Sequence, residues 1–272
     1  MSAVRSALRR AKEELFLRSL NAAGREQGLE AMAAKLEALG GVEDQYSSFK
    51  VEGEYLTRKV LLQNAFQIAF ASEDLPRGDG LVVDIGDSSG RHTLALKAVN
   101  PGTKARFLSA NLDPEAVAKI RAKGLQAEQS RAEDLAAKGL DAEVFLLFET
   151  LEHMPNPFSF LHDLAAKSKC RRLVLTVPYV RRSRLGLHHI RAGLREKVGA
   201  ERVHLLELSP DDLKLLFAHT GWKVERERTY LQYPRLSPLR AAKAAWRKYD
   251  FEGFYGVSLS RDDSWSRLYA DW

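Results

Sequence analysis

The sequence predicts a doubly wound α/β protein: a mainly parallel sheet with helices on both faces and a helical extension at the N-terminus. Three observations lead there. Between Gly80 and Pro178, strand-like and helix-like segments alternate. The strand-like segments, among them "LVVDI", "EVFLLF" and "RRLVLTVP", are near-continuous apolar runs, which suits strands buried on both faces. Finally, "LVVDIGDSSGRHTLAL", Leu81 to Leu96, has the form of a buried strand, a turn holding Gly86 and Gly90, and a helix. That arrangement aims backbone N–H groups and a helix N-terminus at a ligand.

Residues 1–78 form a helical lead-in expected to pack on the core. Val4, Leu8, Ala11 and Leu15, then Leu29, Met32, Leu36 and Leu39, follow helical spacing, and Gly40 and Gly41 supply a stop. A second helical run, "YLTRKVLLQNAFQIAFA", ends at the turn-forming "SEDLPRGDG". The α/β domain occupies 79–272. In it "LVVDI" leads to "GRHTLALKAV", "ARFLSA" to "PEAVAKIRAKG", "AEQS" to "RAEDLAAKG" and "EVFLLF" to "PFSFLHDLAAKS", and "RRLVLTVP" closes the set. A basic insert at 181–203 follows. Then comes a helix, "SPDDLKLLFAHTGW", with Ser209 as N-cap, Asp211 and Asp212 in its first turn and Gly221 at its stop. Two more strands, "KVERERTYL" and "GFYGVSLSR", flank a helical insert at 235–250. The alternation of Val224, Arg226 and Arg228 with Glu225 and Glu227 points to a sheet edge for the first of them. Sheets of this class bind ligands beyond the carboxyl ends of their strands, where strand order reverses. The loops after Ile85, Ala110, Ser130 and Phe148 are therefore where chemistry is expected.

The 272 residues, 45% hydrophobic, suffice for a sizeable core. Apolar runs such as "VFLLF" fall far short of the roughly 20 residues that cross a bilayer, and the charged N-terminus lacks an apolar signal core, so a cytoplasmic location is expected. Cys170 is the single cysteine, which excludes an internal disulfide; it reads as a structural residue. The net charge of +6 is concentrated in two basic segments, Arg181 to Arg202 and Arg235 to Lys248, so the remainder of the chain is net acidic. Two patches of this kind suit an anionic substrate, nucleic acid or a phospholipid surface. His188 and His189 could form an acceptor- or metal-binding pair, but no second cluster with metal-ligand spacing supports them, and no metal is expected.

The order "VVDIGDSSG", "LSANLDPEAV", "SRAEDL", "VFLLFETLEHMPNPFSFLHDL", "LVLTVPY" and "VHLLELSPDDLKLLFAHTGWKVERE" resembles the class I S-adenosylmethionine-dependent methyltransferases. The likeness is greatest to the broad group with a "LEHxxxP" signature after the fourth strand. It spans Leu81 to Leu231 and a final strand at Phe254 to Ser260. The resemblance implies a Rossmann-like, seven-stranded mixed sheet with its last strand antiparallel, S-adenosylmethionine as cofactor and S-adenosylhomocysteine as product.

Carried over by position, the family's D-x-G-x-G-x-G loop is matched at Asp84, Gly86 and Gly90, with Ser88 in place of the middle glycine and Asp87 between them. Where an acidic residue would hold the ribose, the chain has Asn111, followed by Leu112. Near the adenine, the equivalent position falls at Ser130 or Arg131, followed by Ala132 and with Glu133 nearby. The "FETLEHM" segment implies Phe148, Glu149 and Leu151 beside the cofactor and His153 at the transfer site, as first candidate for a general base, with His204 second. The implied activity is methyl transfer to oxygen or nitrogen of a small acceptor, anionic or sugar-like. Ser88, Asn111 and Arg131 motivate an alternative, an inactive methyltransferase-like binding or scaffold protein. The basic segments motivate a third, an RNA methyltransferase. Oligomeric state is not readable from the sequence.

Overall fold

The computed structural model describes residues 2–46, 50–186 and 203–269. Its main sheet has seven strands: β1 (Leu81–Ile85), β2 (Arg106–Asn111), β3 (Ala127–Gln129), β4 (Ala142–Phe148), β5 (Arg172–Pro178), β8 (Trp222–Leu231) and β9 (Gly253–Arg261). A short antiparallel pair, β6 (Arg184–Leu185) and β7 (Leu206–Glu207), stands apart. The order in the main sheet is β3-β2-β1-β4-β5-β9-β8. The pairings of β1 with β2 and β4, of β2 with β3 and of β4 with β5 are parallel. The final strand, β9, runs antiparallel between β5 and β8. This is the mixed seven-stranded sheet the sequence predicted, and β8 takes the edge that its charged alternation suggested.

Side-chain alternation divides the core in two. Val82, Val144, Leu146, Phe148 and Val174 face one side of the sheet, with Leu20, Leu36, Leu62 and Phe66 packed against them. Val83, Ile85, Phe145, Leu147, Leu173 and Leu175 face the other, against Phe160, Leu161, Leu164, Leu213, Phe217 and Trp222. The first layer is supplied by α1 (Ser2–Glu26), α2 (Glu30–Ala38), α3 (Glu54–Ser72) and α4 (Arg91–Val99), the second by α7 (Pro157–Lys167) and α8 (Pro210–His219), with α5 (Pro114–Ala122) and α6 (Ala132–Leu135) between strands. The helical insert forms a 3₁₀ turn, Pro238–Ala242, and α9, Lys243–Tyr249. It is pinned to α1: Trp246 stacks on Phe16 at 4.0 Å and its Nε1 donates to Ser19 Oγ at 3.1 Å.

Cys170 is buried, with Ser168 Oγ donating to its sulfur at 3.3 Å. No helix among the described residues is long and apolar enough to cross a membrane. Most of the 181–203 insert, His188 and His189 included, lies outside the described residues. What the fold does for function is place the β1–β4 junction, where strand order reverses, beneath α3 and the segment that precedes it.

Candidate active site

The loop after β1 is built by its glycines and by Asp87. Gly86 has φ +91°, and a Cβ there would strike Thr150, so only glycine fits where the β1 and β4 loops meet. Gly90, at φ +75°, opens α4. The fully buried Asp87 accepts from the backbone N–H of Gly90 at 2.8 Å and of Ser89 at 3.2 Å, and Ser109 Oγ donates to it at 3.3 Å. Its charge therefore satisfies the loop's own donors at the helix start.

Ser88 is not among the positive-φ residues, so its Cβ carries no backbone penalty. Its hydroxyl donates to Gln45 O at 2.6 Å, tying the segment between α2 and α3 over the loop.

Beside this loop, a cavity of about 250 Å³ is lined by Gln45, Lys59, Gln63, Asn64, Gln67, Gly86, Ser88, His92, Phe148, Glu149, Glu152, His153, His204 and Phe251, among others. Its polar lining combines two glutamates, three histidines, Lys59 and four side-chain amides. Among the described residues Glu149 is the one non-glycine with positive φ, +48°. Such a conformation costs about 1–3 kcal/mol and persists only where its surroundings hold it; here its N–H donates to Thr176 O at 2.9 Å. Burial lifts the Glu149 carboxyl to about 8, against a hydrogen bond from Thr176 and the charges of Lys59 and His92.

Glu152 is 3% exposed, and burial, with the neighbouring Glu149 and Glu207, pushes it well above the usual carboxyl range. Glu149 Oε1 and both carboxylate oxygens of Glu152 have no hydrogen-bond partner. Buried polar atoms are nearly always paired, so these orphaned oxygens mark a place for a ligand.

Two histidines complete this wall. His153 donates from Nδ1 to Val203 O at 2.8 Å, and His204 Nδ1 lies 3.1 Å from Glu207 Oε1. Their rings meet edge to face at 4.7 Å, and His204 stacks on Phe251 at 5.1 Å. Val203–Leu205 is held against the 3₁₀ turn Leu151–His153 by the His153 bond and by Leu205 N–H donating to Glu152 O at 2.7 Å. Gly186 lets it pass, since a Cβ there would run into His204 O.

The expected cofactor residues divide into groups. Gly86, Ser88, Phe148 and Glu149 line the cavity. Asp84 and Asp87 lie beneath the loop. Asp84 Oδ2 is 3.2 Å from His92 Nδ1, and burial raises its pKa to about 6 even with His92 beside it. Leu151 packs into the core on the far face of the sheet.

Asn111, Leu112, Arg131 and Ala132 are not on the cavity wall. Asn111 donates from Nδ2 to Asp87 O at 3.1 Å and accepts from Asp113 N at 2.8 Å, so both ends of its amide are engaged. Leu112 is 55% exposed. The Arg131 side chain, 54% exposed, lies 3.5 Å from Glu133.

Sequence reasoning missed His92, Gln45, Glu152 and the Gly186 passage. His92 sits edge-on to Phe148 at 5.0 Å and 3.4 Å from Gln45 Nε2. Glu152 was within reach, as the E of "LEH".

With the sheet order and the glycine-loop cavity at its switch point described, the fold is defined: it is the Rossmann-like fold found in the class I S-adenosylmethionine-dependent methyltransferases. Solved structures share it. The [4+2]-cyclase SpnF is 14% identical at a TM-score of 0.55, over 89% of this chain and 96% of that one. Magnesium protoporphyrin IX methyltransferase from Synechocystis PCC 6803, with bound S-adenosylhomocysteine, is 14% identical at 0.54, over 78% and 89%. A putative sarcosine dimethylglycine methyltransferase from Galdieria sulphuraria is 11% identical at 0.54, over 77% and 88%. At these identities the likeness establishes the fold. No protein-family model matches the chain, and no curated protein does.

Proposed function

We propose that this chain is an S-adenosylmethionine-dependent methyltransferase of the LEHxxxP group, acting on oxygen or nitrogen of a small, anionic or sugar-like acceptor. The observation that carries this reading is the cavity at the β1–β4 switch point, where a glycine loop meets buried, unpartnered carboxylate oxygens of Glu149 and Glu152. Their placement suits a cationic methionine end: a positive charge beside a desolvated carboxylate is worth far more than in water. When bound, S-adenosylmethionine supplies an electrophilic methyl group on a sulfonium.

The chain's own residues do the rest. Gly86 lets the ligand approach the backbone, and the cavity walls hold donor and acceptor in line while limiting water. His153 donates from Nδ1 to a carbonyl, which can only accept, so the neutral ring carries its lone pair on Nε2. A base of that form can take a proton from an acceptor hydroxyl or amine. The two basic segments support an anionic acceptor, while the Lys59 ammonium on the cavity wall is paired with Asp250.

A second reading, an inactive binding or scaffold protein, is favoured by Asn111, whose amide is engaged within the protein where a ribose would need it. Methyl-labelled S-adenosylmethionine separates the two. Under the first reading, label transfers to a hydroxylated or amino acceptor bearing phosphate or carboxylate. Binding without transfer, across a panel of such acceptors, favours the second.

A further inference from the structure

We propose that Glu152, His153 and His204 form a binding site for a divalent transition-metal ion, with Glu149 beside it, in the wall of the cavity. One ligand atom from each of the three lies within 4.8 Å of the others. Ligands held 2.0–2.2 Å from a common ion sit roughly 3–4 Å apart, so a contraction of about an ångström closes the shell.

Several independent features point the same way. Both oxygens of Glu152 are buried and without a hydrogen-bond partner, and Glu149 adds another such oxygen on the same cavity. A carboxylate placed like that is costly unless something positive meets it. Each imidazole also has its Nδ1 engaged from behind, His153 by Val203 O and His204 by the Glu207 carboxylate. Metal-binding histidines are oriented in this way, with the outer nitrogen on a carbonyl or carboxylate and the other turned to the ion. Glu207 is itself paired with Arg184, so its position is fixed in turn.

The segment carrying His204 is brought to the Glu152–His153 turn by the Leu205 N–H bond to Glu152 O and by the bond from His153 to Val203 O, through a gap that Gly186 keeps clear. The arrangement is thus built from segments about fifty residues apart. Two imidazoles with carboxylate favour a first-row transition ion such as Zn²⁺ or Mn²⁺ over Ca²⁺ or Mg²⁺, which prefer all-oxygen shells.

Resting on the methyltransferase reading, the site also names the acceptor class: a hydroxyl compound whose oxygen takes an open coordination position. The ion makes that hydroxyl a stronger acid by lowering its pKa. With His153 Nε2 given to the ion rather than to proton transfer, the hydroxyl proton leaves to water, and the oxygen lone pair forms the new O–CH₃ bond. The S–CH₃ bond breaks with its electron pair going to sulfur, and the sulfonium becomes a neutral thioether.

The test is a calorimetric titration of chelator-treated, full-length protein with ZnCl₂ or MnCl₂, without cofactor, beside a Co²⁺ titration followed by visible absorption. The expected result is one ion per chain, with affinity reduced at least tenfold in both Glu152→Gln and His204→Gln and unchanged in His219→Gln, which lies outside the cavity lining. Circular dichroism checks that each variant folds; should one not fold, the other decides. Absence of saturable binding in the wild type, or unchanged affinity in the folded variants, overturns the proposal. A parallel titration with S-adenosylhomocysteine keeps the two readings apart. Metal binding without cofactor binding removes the methyltransferase reading alone, and cofactor binding without metal binding removes this site alone.

Discussion

The β1–β4 side and the β2–β3 side of the sheet's carboxyl end have the same strand-to-loop architecture and opposite polar accounts. At the β2–β3 side every expected ligand-binding group has found a partner within the protein or faces solvent: Asn111 is engaged at both ends of its amide, Arg131 lies by Glu133, and Leu112 is exposed. On the other side, Glu149 is held in a left-handed conformation with a buried orphaned oxygen, and Glu152 has two. The contrast teaches how to separate structural polar groups from those kept for a ligand. A satisfied side chain holds the fold, whereas a buried one without a partner costs roughly 1–3 kcal/mol and is retained for something else.

The largest expected effect falls on the β1–β4 side. Gly86→Val places a branched side chain at φ +91° against Thr150. Strain and overpacking together should cost about 3–5 kcal/mol, read as a lowered denaturation midpoint with cofactor binding lost. Stability unchanged within 0.5 kcal/mol would show that this loop is not the tight junction described.

Next comes Glu149, whose carboxyl is lifted from its ordinary 4.5 to about 8 by burial. Between those values the folded protein keeps the proton and the unfolded chain releases it. The group's contribution is therefore fully present below about pH 4.5 and is lost as pH rises through 8. In chelator-treated protein, Glu149→Gln should flatten that slope, matching wild type near pH 4.5 and exceeding it at pH 8 by about 2–4 kcal/mol. Parallel stability curves from denaturant titrations across this range would contradict the assignment.

Asn111→Asp sharpens the comparison from the other side. An aspartate cannot donate to Asp87 O, so one carboxylate oxygen is released for the ribose hydroxyls while the other keeps the Asp113 N–H. Binding of S-adenosylhomocysteine should tighten by about 1 kcal/mol, roughly fivefold, at a similar cost in stability. Weaker binding would mean that Asn111 already serves the ligand. The smallest effect is expected for Arg131→Ala, at most about 0.5 kcal/mol in stability for an exposed pair, with cofactor affinity unchanged by calorimetry.

Much of the fold was legible because strands buried on both faces must be apolar throughout, and "LVVDI", "VFLLF" and "RRLVLTVP" are. The cap at Ser209 set a helix start locally, and the charged alternation of β8 marked an edge. The site was legible where one segment carries it: "DIGDSSG" and "FETLEHM" both meet the cavity.

What could not be read depends on residues distant in sequence. Ser88 looked like a defect in a glycine loop, yet its hydroxyl holds Gln45 across 43 residues. Gly186 is an unremarkable glycine in a basic segment until the chain at His204 passes beside it. His92 looks like any position in α4, and only the fold sets it against Asp84 and Phe148. Asn111 read as a ribose ligand, because the bond to Asp87 O that engages it is a matter of tertiary geometry.

The most direct test of the central claim, that the β1–β4 cavity is what recognises the cofactor, is calorimetric titration of the wild type and of Asn111→Ala with S-adenosylmethionine. The account predicts saturable one-to-one binding that the substitution changes by no more than about threefold. No binding at millimolar ligand, or binding that disappears with Asn111, would contradict it.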